Sequence, residues 1–182
     1  MNMINKEYLV KLKEIYARLN IPLSILEKNK VIYYEVANNN IVLVGKDKFN
    51  RDIYLSCEAS NAWRLMDTDA RKSGVYLEIV SGYRSIEYQT NLISKKIDRG
   101  EEIDDILKVN AAPGLSEHHT GHAIDFSSDE EKGEVLTESF ENTNAFEWLE
   151  KFGSRYHFYM TYPRNNIYGY NYEPWHWCYK KL

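Results

Sequence analysis

The run Ser116-Glu117-His118-His119-Thr120-Gly121-His122-Ala123-Ile124-Asp125 constrains this chain's fold more than any other. Three of the chain's five histidines fall within five positions there, and an acid follows. Near the C-terminus, Glu173-Pro174-Trp175-His176 supplies another acid and another histidine. A catalytic zinc takes three protein ligands from His, Asp, Glu or Cys and keeps one position open. If both segments serve one ion, the chain between them must fold so that they meet. His118 and Asp125 are seven residues apart, about 23 Å if extended at roughly 3.3 Å per residue. The chain must therefore bend between them. Gly121 suits the bend because glycine accepts a positive φ, and residues 123–126 can then run as a strand that fixes the carboxylate.

A rival pairing is His118 with His122, four apart on one helical face. His119 then stands where the base of such a motif belongs, and Gly121 weakens a helix. His176 is the candidate third ligand, and Glu173 is the candidate general base for a water at the metal. On a regular strand these two would face opposite ways; Pro174 breaks the regularity. Arg84, at an expected strand-to-helix turn, is the candidate group for an oxyanion. Competing readings make Glu173 a surface acid, His176 a core histidine between Trp175 and Trp177, and Arg84 a surface ion-pair partner.

Composition narrows the class. The 182 residues suit one domain with a full core. A net charge of -4 argues against a nucleic-acid partner, which would need a basic face. Fifteen tyrosines fit either a groove for a polar ligand or a tyrosine-rich core. The two cysteines, Cys57 and Cys178, have no metal-type spacing and read as reduced thiols. No apolar run approaches the roughly 18 residues of a membrane span. Charged residues from Lys6 to Arg18 interrupt any signal peptide, so the expected location is cytoplasmic.

Periodicity places helices at 5–19 (capped by Asn5), 58–72 (capped by Ser56 and closed near Gly74), 86–97 (starting near Ser85), 101–108, and 144–152 behind Thr143 or Asn144. Strands are expected at 31–36, 41–45, 52–56, 75–80, 123–126 and 156–162, with further extended pieces at 170–172 and 175–179. Residues 127–142 read as a loop. The mixed order implies an α+β fold with a mainly antiparallel central sheet flanked by helices. Residues 1–55 form a helix and hairpin layer on a core of 56–182.

Three motifs occur in order. They are Ser81-Gly82-Tyr83-Arg84-Ser85 with Gln89, then Pro113-Gly114-x-Ser116-Glu117-His118-x-x-Gly121-x-Ala123-Ile124-Asp125, then Gly169-Tyr170-x-Tyr172-Glu173-Pro174-Trp175-His176-Trp177. Together they resemble the VanY-type D-alanyl-D-alanine carboxypeptidases and LdcB-type L,D-carboxypeptidases, whose zinc peptidase fold is shared with VanX and the hedgehog signalling domain. The resemblance runs from about residue 56 to the end. It implies one Zn2+ on His118, Asp125 and His176, Glu173 as catalytic base, and Arg84 polarising the scissile carbonyl. It further implies that Ser116, Tyr83 and Gln89 contact substrate, and that His119 and His122 are not ligands. The implied partner is a peptidoglycan stem peptide or muropeptide ending in D-alanine. Two alternatives share the fold: a phage-type endopeptidase cutting within the stem, and a binding domain with structural zinc. Cys178 stands where the family often has Arg, and residues 152–158 depart from its usual pattern. Both departures bear on substrate preference rather than on the metal ligands.

Overall fold

The computed structural model describes residues 6–29, 31–47, 49–131 and 133–181. Helix α1, Lys6–Arg18, buries Leu12 and Tyr16 on one face. The expected cap Asn5 lies outside the described residues. A five-residue helix, α2 (Ser24–Lys28), follows. It is too short to leave a periodic signal, and the sequence reading missed it. The strand expected at 31–36 does not form. Its backbone is extended, but its bonds to the chain are Tyr33 N–H to Gly114 O at 2.8 Å and Val36 N–H to His119 O at 2.8 Å. Three residues separate these bonds because the partner is a tight turn, and a ladder needs an alternating partner strand.

Strands β1 (Ile41–Lys46) and β2 (Asp52–Ser56) form an antiparallel hairpin. Helix α3, Cys57–Lys72, starts at the end of β2, where Ser56 Oγ accepts from Ala59 N–H at 3.1 Å. Gly74, at φ +75°, follows its C-terminus. Strand β3 is Glu78–Ser81, shorter and later than expected. Helix α4, Ile86–Ile97, is capped by Ser85, whose Oγ accepts from Tyr88 N–H at 2.9 Å. Helix α5 (Ile103–Val109) and strand β4 (Ala123–Ser127) come next. Within the expected loop, residues Glu138–Asn142 make a 3-10 turn that buries Phe140. Helix α6, Asn144–Phe152, takes Thr143 as its cap. Strand β5, Phe158–Met160, is trimmed by a 3-10 turn over Gly153–Tyr156 and by His157 at φ +63°. Strand β6 is His176–Tyr179. Residues 170–172 join no sheet.

The central sheet has the order β3-β4-β6-β5, antiparallel throughout. Two apolar cores flank the segment 112–126. One joins this sheet to α3 and α6 through Trp63, Met66, Ile124, Phe126, Phe146 and Leu149. The other joins α1, α2, α4 and α5 through Leu12, Tyr16, Leu26, Ile86, Ile93 and Ile106. Ala112 and Leu115 sit in the second core, and Ile124 and Phe126 sit in the first. The histidine-rich segment is therefore anchored at both ends, in different cores. Among the described residues, no helix is long and apolar enough to cross a membrane.

Candidate metal centre

Backbone register creates the site. Strands β4 and β6 pair so that Asp125 lies directly opposite His176, and their side chains meet with Asp125 Oδ1 2.9 Å from His176 Nδ1. Residues Glu117–Thr120 form a 3-10 turn closed by Gly121 at φ +69°. A Cβ on Gly121 would come within 2.7 Å of Ser56 N. The positive φ and the close approach both require glycine there. The bend brings His118 Nε2 to 3.2 Å from Asp125 Oδ2. His118 Nδ1 in turn faces Gly82 O at 2.6 Å. Gly82 has its own requirement, since a Cβ there would meet Tyr54 O at 2.5 Å.

His118, Asp125 and His176 each offer a ligand atom, and these atoms lie within 4.8 Å of one another, all buried. Ligand atoms about 2.0–2.1 Å from a tetrahedral ion stand about 3.3 Å apart, close to the 2.9 Å and 3.2 Å seen here. With Nδ1–H donated to Gly82 O, the unprotonated Nε2 of His118 faces a carboxylate oxygen and has no hydrogen-bond partner among the described residues. Two lone pairs facing each other in a buried place repel unless a cation lies between them. Two imidazoles and one carboxylate form a donor set suited to zinc.

The charges agree with that picture. Burial, with Arg84 adding to it, lowers the His118 pKa to about 4. Burial opposes ionisation of Asp125, but the cationic His176 and Arg84 outweigh it and hold the carboxyl well below its usual range. Burial would also lower His176, yet Asp125 and Glu117 overcome it and raise its pKa to about 10. Glu117 Oε2 stands 3.0 Å from His176 Nε2. It accepts the Nε2 proton and leaves Nδ1 facing Asp125, which fixes the orientation of the ring. The sequence reading did not assign Glu117 a role. Its place next to His118 was visible, but its contact across 59 residues was not.

A cavity of about 30 Å³ opens over these groups, lined among others by Arg84, Ser116, His118, Glu173 and His176. That is room for about one water. Glu173 and His176 are joined by a turn, with His176 N–H donating to Glu173 O at 3.1 Å, so both side chains reach the same cavity. Burial pushes the Glu173 carboxyl up to about 7, with His176 partly opposing it. Arg84 places a guanidinium nitrogen 3.5 Å from Asp125 Oδ2. Its buried Nε has no hydrogen-bond partner among the described residues. Ser116 Oγ accepts from His118 N–H at 3.3 Å.

Tyr83 and Gln89 are not on the cavity wall. Tyr83 is half-buried, near enough to Glu35 for that carboxylate to help raise its pKa. Gln89 is buried and donates to Ala111 O at 2.8 Å, so it supports a wall residue. His119 is a strut: its Nδ1 lies 2.7 Å from Arg84 O, and its Nε2 accepts from Gly114 N–H at 3.2 Å. His122 pairs with Glu58 at 3.7 Å and meets the edge of Tyr179, so the rival His118–His122 pairing does not form. Tyr162, also missed in the sequence, stacks on His176 with ring centroids 4.7 Å apart.

The likenesses to known proteins agree with this architecture. The chain is 38% identical over 126 residues to the protein named carboxypeptidase YodJ of Bacillus subtilis, a match covering 68% of this chain and 45% of that protein. The chain thus spans about half the length of that relative. The solved LdcB LD-carboxypeptidase superposes with a TM-score of 0.71 at 34% identity, covering 80% of this chain and 69% of that one. A vancomycin-resistance D,D-pentapeptidase VanY, solved in complex with Zn(II), shares the fold at a TM-score of 0.60 and 24% identity, covering 82% and 85% of the two chains. The family model described as VanY, D-alanyl-D-alanine carboxypeptidase, matches residues 52–182, and the chain belongs to that family.

Proposed function

We propose that this chain is a zinc-dependent peptidoglycan peptidase that removes the C-terminal D-alanine from stem peptides or muropeptides. The observation that carries the reading is the convergence of Glu173, with its pKa raised to about 7, on the cavity that His118, His176 and Arg84 also line. A purely structural metal site would need neither a near-neutral carboxyl nor a guanidinium beside it. Family membership supports this choice of substrate class.

In this reading His118 Nε2, the Asp125 carboxylate and His176 Nδ1 hold the ion. Zinc, when bound, supplies Lewis acidity at the scissile carbonyl and lowers the pKa of water toward about 7. Glu173 accepts a proton as water adds to the carbonyl carbon, then returns it to the nitrogen of the departing residue. Burial raises its proton affinity, which suits it to take the proton. The Arg84 guanidinium donates hydrogen bonds to the carbonyl oxygen as negative charge develops there. Glu117 keeps the His176 ring oriented, and His119 keeps the Arg84 backbone in place.

Mass spectrometry of defined tri-, tetra- and pentapeptide muropeptides tests the reading. Loss of one terminal alanine is expected, and the substrate that loses it separates D,D from L,D activity. Cleavage inside the stem would replace the carboxypeptidase with an endopeptidase. Glu173→Gln should bind zinc normally and lose about 10²–10⁴-fold in kcat. A Glu173→Gln variant as fast as wild type would remove Glu173 as the base.

A further inference from the structure

We propose that α2 and the extended segment behind it form one wall of a subsite for the peptide on the N-terminal side of the scissile bond, and that this subsite favours a peptide bearing a carboxylate. The inference rests on the peptidase reading above. A carboxypeptidase cuts one residue from the end of its substrate. It needs little room on one side of the reacting bond and a long open space on the other.

The chain offers that asymmetry. Beside the small cavity over the metal ligands runs a groove of about 540 Å³, within the usual size range of ligand sites. Tyr162 and Tyr170 line both spaces, so the groove adjoins the site. Ile25, Lys28, Val31 and Tyr33 form one side of it, and Tyr168 adds another ring. Tyrosines suit a peptide: the ring covers its apolar parts and the hydroxyl meets its amides. Val31, Ile167 and Tyr168 leave 53%, 92% and 48% of their surfaces exposed around this groove. Apolar surface gathered at one concave place points to a ligand.

Charge narrows the occupant. Among the described residues, Lys28 is the charged residue of the lining and no carboxylate lines the groove, although the chain carries a net charge of -4. A cation in an otherwise uncharged trough complements an anionic side chain or a free carboxylate on the peptide. The wall is also held firmly against the metal centre. Leu26 of α2 is buried in the helical core. Tyr33 N–H donates to Gly114 O, and its hydroxyl reaches Glu117 Oε1 at 3.4 Å. Residues 25–33 precede the region matched by the family model, which begins at residue 52. This wall is thus a means for the N-terminal segment to set specificity on a shared catalytic core.

The test compares two peptides with the same scissile bond and three residues before it, one with a free side-chain carboxylate and one with that group amidated. Wild type should prefer the acidic peptide in kcat/KM. Lys28→Glu should lower the acidic-to-amidated ratio about tenfold or more; taking a ratio cancels differences in folding and metal loading. An unchanged ratio in Lys28→Glu overturns the proposal. So does a preference that appears only when the disaccharide is attached and ignores Lys28→Glu, because the groove would then hold sugar. Calorimetry on the zinc-loaded Glu173→Gln protein, with and without Lys28→Glu, reads the subsite without turnover. If wild type cleaves neither peptide but tight binding still depends on Lys28, the peptidase reading falls and the subsite stands. If wild type cleaves both and neither rate nor binding depends on Lys28, the subsite falls and the peptidase reading stands.

Discussion

Glu117 and Gly121 show how much of the site depends on residues that bind no ion. Glu117 is buried, and burial alone would raise its pKa; the contact with His176 reverses that and lowers it to about 2. It is therefore a fixed anion that orients an imidazole. Partners of this kind typically affect metal affinity 10–100-fold. Glu117→Gln should weaken zinc binding by about that factor in competition with a chromophoric chelator, and an unchanged Kd would remove the orienting role. Gly121→Ala should cost about 1–3 kcal/mol of stability from the positive φ alone, with the contact to Ser56 N adding to it. Urea unfolding monitored by tryptophan fluorescence would measure the loss. Gly121 was legible in the sequence because only a bend could unite His118 and Asp125. Glu117 was not, because its partner arrives from a strand 59 residues later.

Helix starts were the elements best written into the sequence. Ser56, Ser85 and Thr143 all cap as local chemistry implies, each accepting an N–H three residues on. Strand limits were less legible. Residues 31–36 have the composition of a strand but face a turn, and β3 and β5 are trimmed by their neighbours. The hairpin β1–β2 depends on Asp47, whose Oδ1 accepts from Phe49 N–H and Arg51 N–H at 2.8 Å each and whose Oδ2 pairs with Arg51. Burial works to raise the Asp47 pKa, and these bonds outweigh it, so the carboxyl sits below its ordinary value of 3.8. A lowered carboxyl pKa contributes stability above that ordinary value and loses it as pH falls through the folded value. Asp47→Ala should therefore destabilise the protein by about 1–3 kcal/mol at pH 7. The gap from wild type should narrow as pH drops below about 3.8. A gap that stays constant down to pH 2.5 in urea titrations would contradict this account of the turn.

The ion, as proposed, links the β4 and β6 strands to the turn at His118, so metal loading should be felt by the entire fold. At a hundredfold excess over Kd, zinc should stabilise the chelator-stripped protein by about 2.7 kcal/mol. For a chain of this size that raises Tm by roughly 5–11 °C. His176→Ala should show no zinc-dependent shift; an undiminished shift would mean that the ion binds elsewhere. The pH dependence has a definite sign. His118 is already neutral near pH 7, and Asp125 is ionised. His176 keeps its second proton up to about pH 10 without metal. Zinc must displace that proton, so between about pH 4 and pH 10 binding should release about one proton and tighten about tenfold per pH unit. Calorimetry in buffers of different ionisation enthalpy counts the proton.

Local chemistry in the sequence was enough to single out the residues proposed here as metal donors and general base, the bend at Gly121 and the helix caps. Each depends on residue type and short spacing: a carboxylate that can bind a cation, a glycine that can take a positive φ, a hydroxyl three residues before an orphan N–H. The fold was needed to set the β4–β6 register that places Asp125 opposite His176. It also brought Glu117 to that histidine, put Tyr83 and Gln89 off the cavity wall, and carried Ile25, Lys28, Val31 and Tyr33 beside the candidate metal centre. These are contacts between segments far apart in the chain. No local propensity encodes them, because they follow from how two apolar cores pack around one short segment.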